Sequence, residues 1–223
     1  MIGFTEAFAR SPLIAILRGI RPEECDAIGG ALVEAGFAIL EIPLNSPRPF
    51  ASIRALAARF GDRALVGAGT VLTAGAVDQV HAAGGRLIVM PHGDRAVIDA
   101  AVRLGMPAVP GVATPTEGFA ALAAGVAALK LFPAEALAPN VVKALRAVMP
   151  ANALLLPVGS ITLANIAAYW QAGANGFGLG SALYRPGDDA DAIGARAVAF
   201  QAGITELRST GSGQRPAIEE MAP

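Results

Sequence analysis

"RPEECDAIGGALVEAGFAILEIPLN" (residues 21–45) contains the unit from which most of the chain is built. Pro22 stands in the first turn of a helix and Gly36 just past its end. Proline loses nothing at a helix start, where its missing N–H would be unpaired anyway, and glycine accepts the left-handed backbone that closes a helix. A short apolar run follows, "ILEIPLN" at 39–45. The "AG" before a new strand recurs at Gly84, Gly125 and Gly173, and "TPTEGFAALAAG" (114–125) and "TLANIAAYWQAG" (162–173) repeat the helical half.

Working outward, eight strand candidates succeed one another: "LIAILRG" (13–19), "ILEIPLN" (39–45), "ALVGAGT" (64–70), "RLIVMPH" (86–92), "PAVPGVA" (107–113), "ALKLFP" (128–133), "LLLPVGS" (154–160) and "GFGLGSA" (176–182). Continuous apolar runs of this kind belong to parallel sheets covered on both faces. Their alternation with amphipathic helices implies βα units joined by right-handed crossovers. Eight units predict an α/β (β/α)8 TIM barrel, a single domain over residues 1–207; at 223 residues in all, its loops must be short. The alternative is an open doubly wound sheet, but the glycines of "GAGT" lack the spacing of a dinucleotide fingerprint. "RSTGSGQRPAIEEMAP" (208–223) has no periodicity and is expected to be a flexible C-terminal tail.

With 54% hydrophobic and 16% charged residues, the chain can bury a substantial core. Its net charge of -1, pI near 6.1 and lack of any Lys/Arg-rich run argue against a nucleic-acid partner. Cys25 is the single cysteine, unable to pair within the chain and expected to be a small core residue. His81 and His92 are too few and too separated for a histidine-rich metal site. "MIGFTEAFAR" lacks the basic start and long apolar run of a secretory signal. Mean hydropathy is +0.52, yet glycine, proline or a charge interrupts every apolar stretch before it could span a bilayer. No membrane association and a cytoplasmic location are the expectations.

In a barrel of this class reactive groups project from the C-terminal strand ends. Lys130 in "ALKLFP" and Glu41 in "ILEIPLN" are charges set in apolar strands. One reading is a buried Glu41–Lys130 ion pair that fixes register. The other is catalytic: a desolvated lysine loses its proton and becomes the nucleophile that forms a Schiff base with a carbonyl, while a neighbouring carboxylate moves the protons. "VGS" (158–160) and "GLGS" (178–181) end the last two strands, where loops of this barrel class often hold phosphate on backbone N–H groups helped by a helix start. Ordinary βα turns would explain either loop alone. Arg18 could fork onto a carboxylate or phosphate, or simply face solvent. Thr70 could bind a ligand or cap a helix. Asp94 is expected to cap the helix after His92 rather than to pair with it.

"LIAILRGI", "GFAILEIPLNSP", "VGAGTVL", "LIVMP", "PGVATPTE", "ALKLFPAE" and "GLGSALYRPG" together resemble the class I aldolases acting on 2-keto-3-deoxy-6-phospho sugar acids, over about residues 12–205. Within that family "EIPLNSP" is similar to the 6-phosphogalactonate branch; the gluconate branch has a threonine, leucine and arginine where this chain has Pro43, Leu44 and Asn45. The resemblance implies cleavage to pyruvate and glyceraldehyde 3-phosphate by Lys130 as Schiff-base lysine and Glu41 as proton shuttle. Arg18 and Thr70 would hold the substrate, and Gly159, Ser160, Gly180 and Ser181 its phosphate. It implies no cofactor, no metal, a phosphorylated keto-deoxy sugar acid as partner, and a homotrimer in galactonate breakdown. The family usually has two glycines at Gly159-Ser160, so the Ser160 N–H serves only if the backbone conformation there suits a non-glycine residue. His92 stands where relatives often carry asparagine. A metal-assisted lyase or a phosphosugar-binding protein on the same barrel would be the readings from other classes.

Overall fold

The computed structural model of the chain describes residues 2–210. Its strands are β1 (Leu13–Ile16), β2 (Ile39–Pro43), β3 (Leu65–Gly69), β4 (Ile88–Val89), β5 (Ala108–Val109), β6 (Gly111–Val112), β7 (Leu129–Leu131), β8 (Leu155–Pro157) and β9 (Phe177–Leu179). Every one lies inside a predicted run. The fifth run is divided into β5 and β6 by Pro110, which has no N–H to give to a ladder. The helices are α1 (Phe4–Arg10), α2 (Cys25–Glu34), α3 (Pro49–Phe60), α4 (Ala74–Ala82) and α5 (Arg95–Arg103), then α6 (Pro115–Ala123), α7 (Pro139–Val148), α8 (Ile166–Gln171) and α9 (Ala190–Ser209).

Helix ends follow the sequence signals. Gly36, Gly84, Gly125 and Gly173 all carry positive φ, between +79° and +102°. Asp94 caps α5 by accepting the Val97 N–H at 3.0 Å, and Thr114 with Glu117 forms a capping box at α6. Cys25 is buried, as its place on the helix suggested. Two elements depart from expectation. α1 forms within "MIGFTEAFAR", to which no element was assigned, and α9 continues to Ser209, into the stretch read as tail. The rest of that expected tail lies outside the described residues.

All strand pairings are parallel. Six strands form one sheet in the order β5-β4-β3-β2-β1-β9, and three form another in the order β6-β7-β8. The sheets adjoin at both edges: β5 and β6 are separated by one residue, and Val158 bridges Gly178 between the ends of β8 and β9. An Asn175 N–H bond to the Leu155 carbonyl, 2.9 Å, reinforces the second junction.

Successive strand side chains enter different cores, as the twofold repeat of a strand requires. Leu13, Ala15, Leu40, Ile42, Leu129 and Leu131 pack with the helices in a large cluster. Ile14, Ile16, Ile39, Val89, Val109 and Leu156 form a second cluster drawn from strands of both sheets, to which α1 adds Ala7 and Phe8. Glu41 shares its strand face with Ile39. Lys130 lies between Leu129 and Leu131 and therefore faces away from the helices. The alternation that buries the strands on both sides thus aims both charges at the second core.

Candidate active site

Above that second core opens a cavity of about 380 Å³. Arg18, Glu41, Lys130, Gly159, Ser160, Gly180 and Ser181 line it, seven of the eight site residues expected from the sequence. Thr70 is not among them. It follows β3, half-buried, with φ +55°, which is costly for a β-branched side chain. His92 is exposed and does not line the cavity. Phe132, Glu135, Thr162 and Arg185 also line it and were not singled out from the sequence.

Glu41 is 1% exposed, and its Oε2 has no hydrogen-bond partner. Burial pushes its carboxyl up to about 7, opposed by the nearby charges of Lys130 and Arg18. The carboxylate has room only because Gly69 carries no side chain: a Cβ there would stand 1.0 Å from Oε1. Lys130 is 6% exposed, and burial lowers its pKa; Glu41 raises it and Arg18 lowers it further. Its Nζ lies 4.5 Å from the centre of the Phe132 ring, which favours the ammonium modestly. Among the described residues no carboxylate forms an ion pair with Lys130, so the register-fixing pair considered above is not built. What is built is a lysine eased toward its neutral form beside a carboxyl that titrates near neutrality.

The loops after β1 and β2 hold Arg18 in place. Its Nη1 donates to Asn45 Oδ1 at 2.7 Å, and the Gly19 N–H donates to the buried Ser46 Oγ at 2.9 Å. Across the cavity, Gly159 has φ +117° and Ser160 φ +49°. Ser160 therefore takes the left-handed backbone that its position demands, at a cost of roughly 1–2 kcal/mol for a non-glycine residue. Two bonds secure it: its Oγ donates to Glu135 Oε1 at 2.6 Å, and its carbonyl accepts from Asn165 Nδ2 at 2.8 Å. The N–H groups of Ser160, Ile161, Ser181 and Ala182 have no backbone acceptor among the described residues. They form loops able to receive an anion. Among the described residues no α-helix start lines the cavity; α8 begins only at Ile166. Among the described residues no cluster of three or more His, Cys, Asp or Glu side chains is arranged to hold a metal, and no helix is long and apolar enough to cross a membrane.

Residues 5–195 match the family model for KDPG and KHG aldolase. The chain is 49% identical over 188 residues, 84% of its length and 89% of the relative's, to the probable 2-dehydro-3-deoxy-6-phosphogalactonate aldolase of Rhizobium meliloti (strain 1021). It is equally 49% identical, over 85% of its length and 92% of the relative's, to 2-dehydro-3-deoxy-6-phosphogalactonate aldolase of Escherichia coli (strain K12). Among solved structures, a native KDPGal structure superposes with a TM-score of 0.87 at 47% identity, covering 89% of this chain and 96% of that one. A porous protein cage designed by fusing symmetric oligomeric domains superposes at 0.88 and 47% identity, covering 90% of this chain and 74% of that one.

Proposed function

We propose a reaction from the premise that the chain belongs to the KDPG and KHG aldolase family. It is a carbon–carbon lyase that cleaves 2-dehydro-3-deoxy-6-phosphogalactonate to pyruvate and glyceraldehyde 3-phosphate. The observation that carries this reading is the joint placement of Lys130 and Glu41 in one cavity of a chain 49% identical to two aldolases named for that substrate. The two sheets are read here as one closed (β/α)8 barrel, with β5 and β6 as a single interrupted strand and the Val158–Gly178 bridge as the seam.

The residues lining the cavity support the following steps. Neutral Lys130 attacks the C2 ketone to give a carbinolamine, and Glu41, protonated near neutral pH, donates the proton with which the hydroxyl leaves as water. The resulting iminium withdraws electrons, so the C3–C4 bond breaks as the C4 hydroxyl gives its proton to the Glu41 carboxylate left by that step. Glyceraldehyde 3-phosphate departs and an enamine remains on Lys130. Glu41 returns the proton to C3, and water adds to the iminium, giving a proton back to Glu41, to release pyruvate and return the amine. Arg18 holds the substrate carboxylate, and Gly159, Ser160, Gly180 and Ser181 the phosphate; Thr70, outside the cavity lining, is given no part. A homotrimer and a cytoplasmic location belong to the same reading; the designed cage, made from symmetric oligomeric domains, supports assembly. Light scattering at the mass of three chains is the expected result.

Gly69→Ala tests the seating of Glu41. A methyl 1.0 Å from Oε1 must displace the carboxylate. Displacement of a catalytic group by about an ångström costs on the order of 10²-fold in rate. The expected outcome is a folded protein whose kcat falls by about that factor, with KM little changed.

Substrate choice is tested by measuring kcat/KM for the two C4 epimers, the 6-phosphogalactonate and 6-phosphogluconate compounds. A preference of about tenfold or more for the first is expected, equivalent to ~1.4 kcal/mol between the two transition states. A preference for the gluconate epimer would overturn the substrate assignment while leaving the chemistry intact.

A further inference from the structure

We propose that Arg185 is the side chain that recognises the substrate's phosphate, a role that rests on the proposed phosphosugar-acid reaction and adds a specificity residue to it. The charges lining the cavity have different neighbours. Arg18 acts electrostatically on Glu41 and Lys130, and its fork is engaged by Asn45. The backbone N–H groups of the Gly159 and Gly180 loops share the cavity lining with Glu135. Its carboxylate accepts from Ser160 Oγ at 2.6 Å and lies so close to Gly159 that a Cβ there would meet Oε2 at 2.4 Å. A phosphate dianion arriving beside this carboxylate is repelled unless a cation offsets it. Backbone dipoles alone face an anion already in place. Of the cations lining the cavity, Arg18 and Lys130 are coupled to Glu41 and Arg18 is engaged by Asn45, which leaves Arg185.

The guanidinium of Arg185 is anchored without being used up. Its Nε donates to the Ser181 carbonyl at 2.9 Å, which fixes the side chain against the loop that carries Gly180 and Ser181. No carboxylate forms an ion pair with it among the described residues. Asp188, the acid that could have held it, accepts the Arg185 backbone N–H at 3.1 Å and pairs its charge with Arg196 at 2.5 Å. Of the five N–H donors on a guanidinium, the Nη edge is left to face a ligand, and that edge matches the oxygens of a phosphate. Arg185 is exposed, so it meets the phosphate as the substrate enters.

The test compares wild type, Arg185→Ala and Arg185→Lys with the phosphorylated substrate and with its unphosphorylated analogue, 2-dehydro-3-deoxygalactonate. In Arg185→Ala, kcat/KM for the phosphorylated substrate is expected to fall roughly 10- to 100-fold, mainly through KM, while the value for the analogue changes less than about threefold. Lysine should restore part of the loss, since it supplies the charge without the fork. Equal losses on both substrates would reduce Arg185 to a structural role and overturn the proposal, as would an unchanged KM for the phosphorylated one. A second measurement needs no turnover: inorganic phosphate should raise the Tm of wild type and leave that of Arg185→Ala unmoved. An equal rise in both proteins would overturn the proposal even with the reaction intact. Absence of aldol cleavage by wild type, with the phosphate effect still lost in Arg185→Ala, would count against the reaction and for the phosphate site.

Discussion

Lys130→Ala is expected to lower turnover by about 10⁴-fold or more, the scale on which removing a covalent nucleophile acts. Without an amine there is no iminium, and the C3–C4 bond has nowhere to send its electrons. Lys130→Arg should be as inactive, because a guanidinium stays protonated and cannot attack a ketone. That pair of variants separates nucleophile from charge. If positive charge at this position were all that mattered, arginine would rescue. Both proteins are expected to fold, since Lys130 forms no ion pair whose loss would strand a buried carboxylate without its partner. Circular dichroism and a thermal melt check that, and a coupled assay for glyceraldehyde 3-phosphate reads the loss.

Glu41→Gln is expected to slow turnover by ~10²–10⁴-fold while making the protein more stable above neutral pH. The two effects have one cause. Burial raises the Glu41 carboxyl from 4.5 to about 7, so between those values the folded state holds a proton that the unfolded state has released. Stability therefore falls as pH rises through this window and stays reduced above it. Glutamine carries no charge to desolvate. Unfolding free energy at pH 8 should rise by on the order of 2–3 kcal/mol, and the slope between about pH 4.5 and 7 should flatten. Lys130, whose pKa is lowered by burial, contributes a slope of the opposite sign: stability is regained as pH climbs from its folded value toward 10.5. A variant that turns over at the wild-type rate would place the proton transfers on another group, and one no more stable at pH 8 would mean that Glu41 incurs no desolvation cost in the folded protein.

Strand positions were readable because strands buried on both faces must be continuously apolar, and Lys130 and Glu41 stood out because each breaks such a run. Neither needed the structure to be noticed. What they face did need it. Whether a charged pair closes into an ion pair depends on fractions of an ångström that no residue pattern encodes, and here it does not close. Thr70 shows a related limit: it follows a strand end, but its backbone is left-handed and it does not line the cavity. Ser160 was recognised as unusual, yet the bonds that hold it left-handed come from Glu135 and Asn165, one of them 25 residues away. Glu135 and Arg185 lay within the quoted "FPAE" and "LYRPG". As charged residues in loops they looked no different from a solvated surface. α1 was missed because seven residues give too short a window for helical periodicity, and it is held by seating Ala7 and Phe8 against the second core.

The most direct test of a covalent lysine is to incubate the protein with pyruvate, reduce with borohydride and map the modified peptide by mass spectrometry. A pyruvate adduct reduced onto Lys130, absent in Lys130→Arg, is the predicted result. Pyruvate that binds, by calorimetry, yet leaves Lys130 unmodified after reduction would contradict the Schiff-base route.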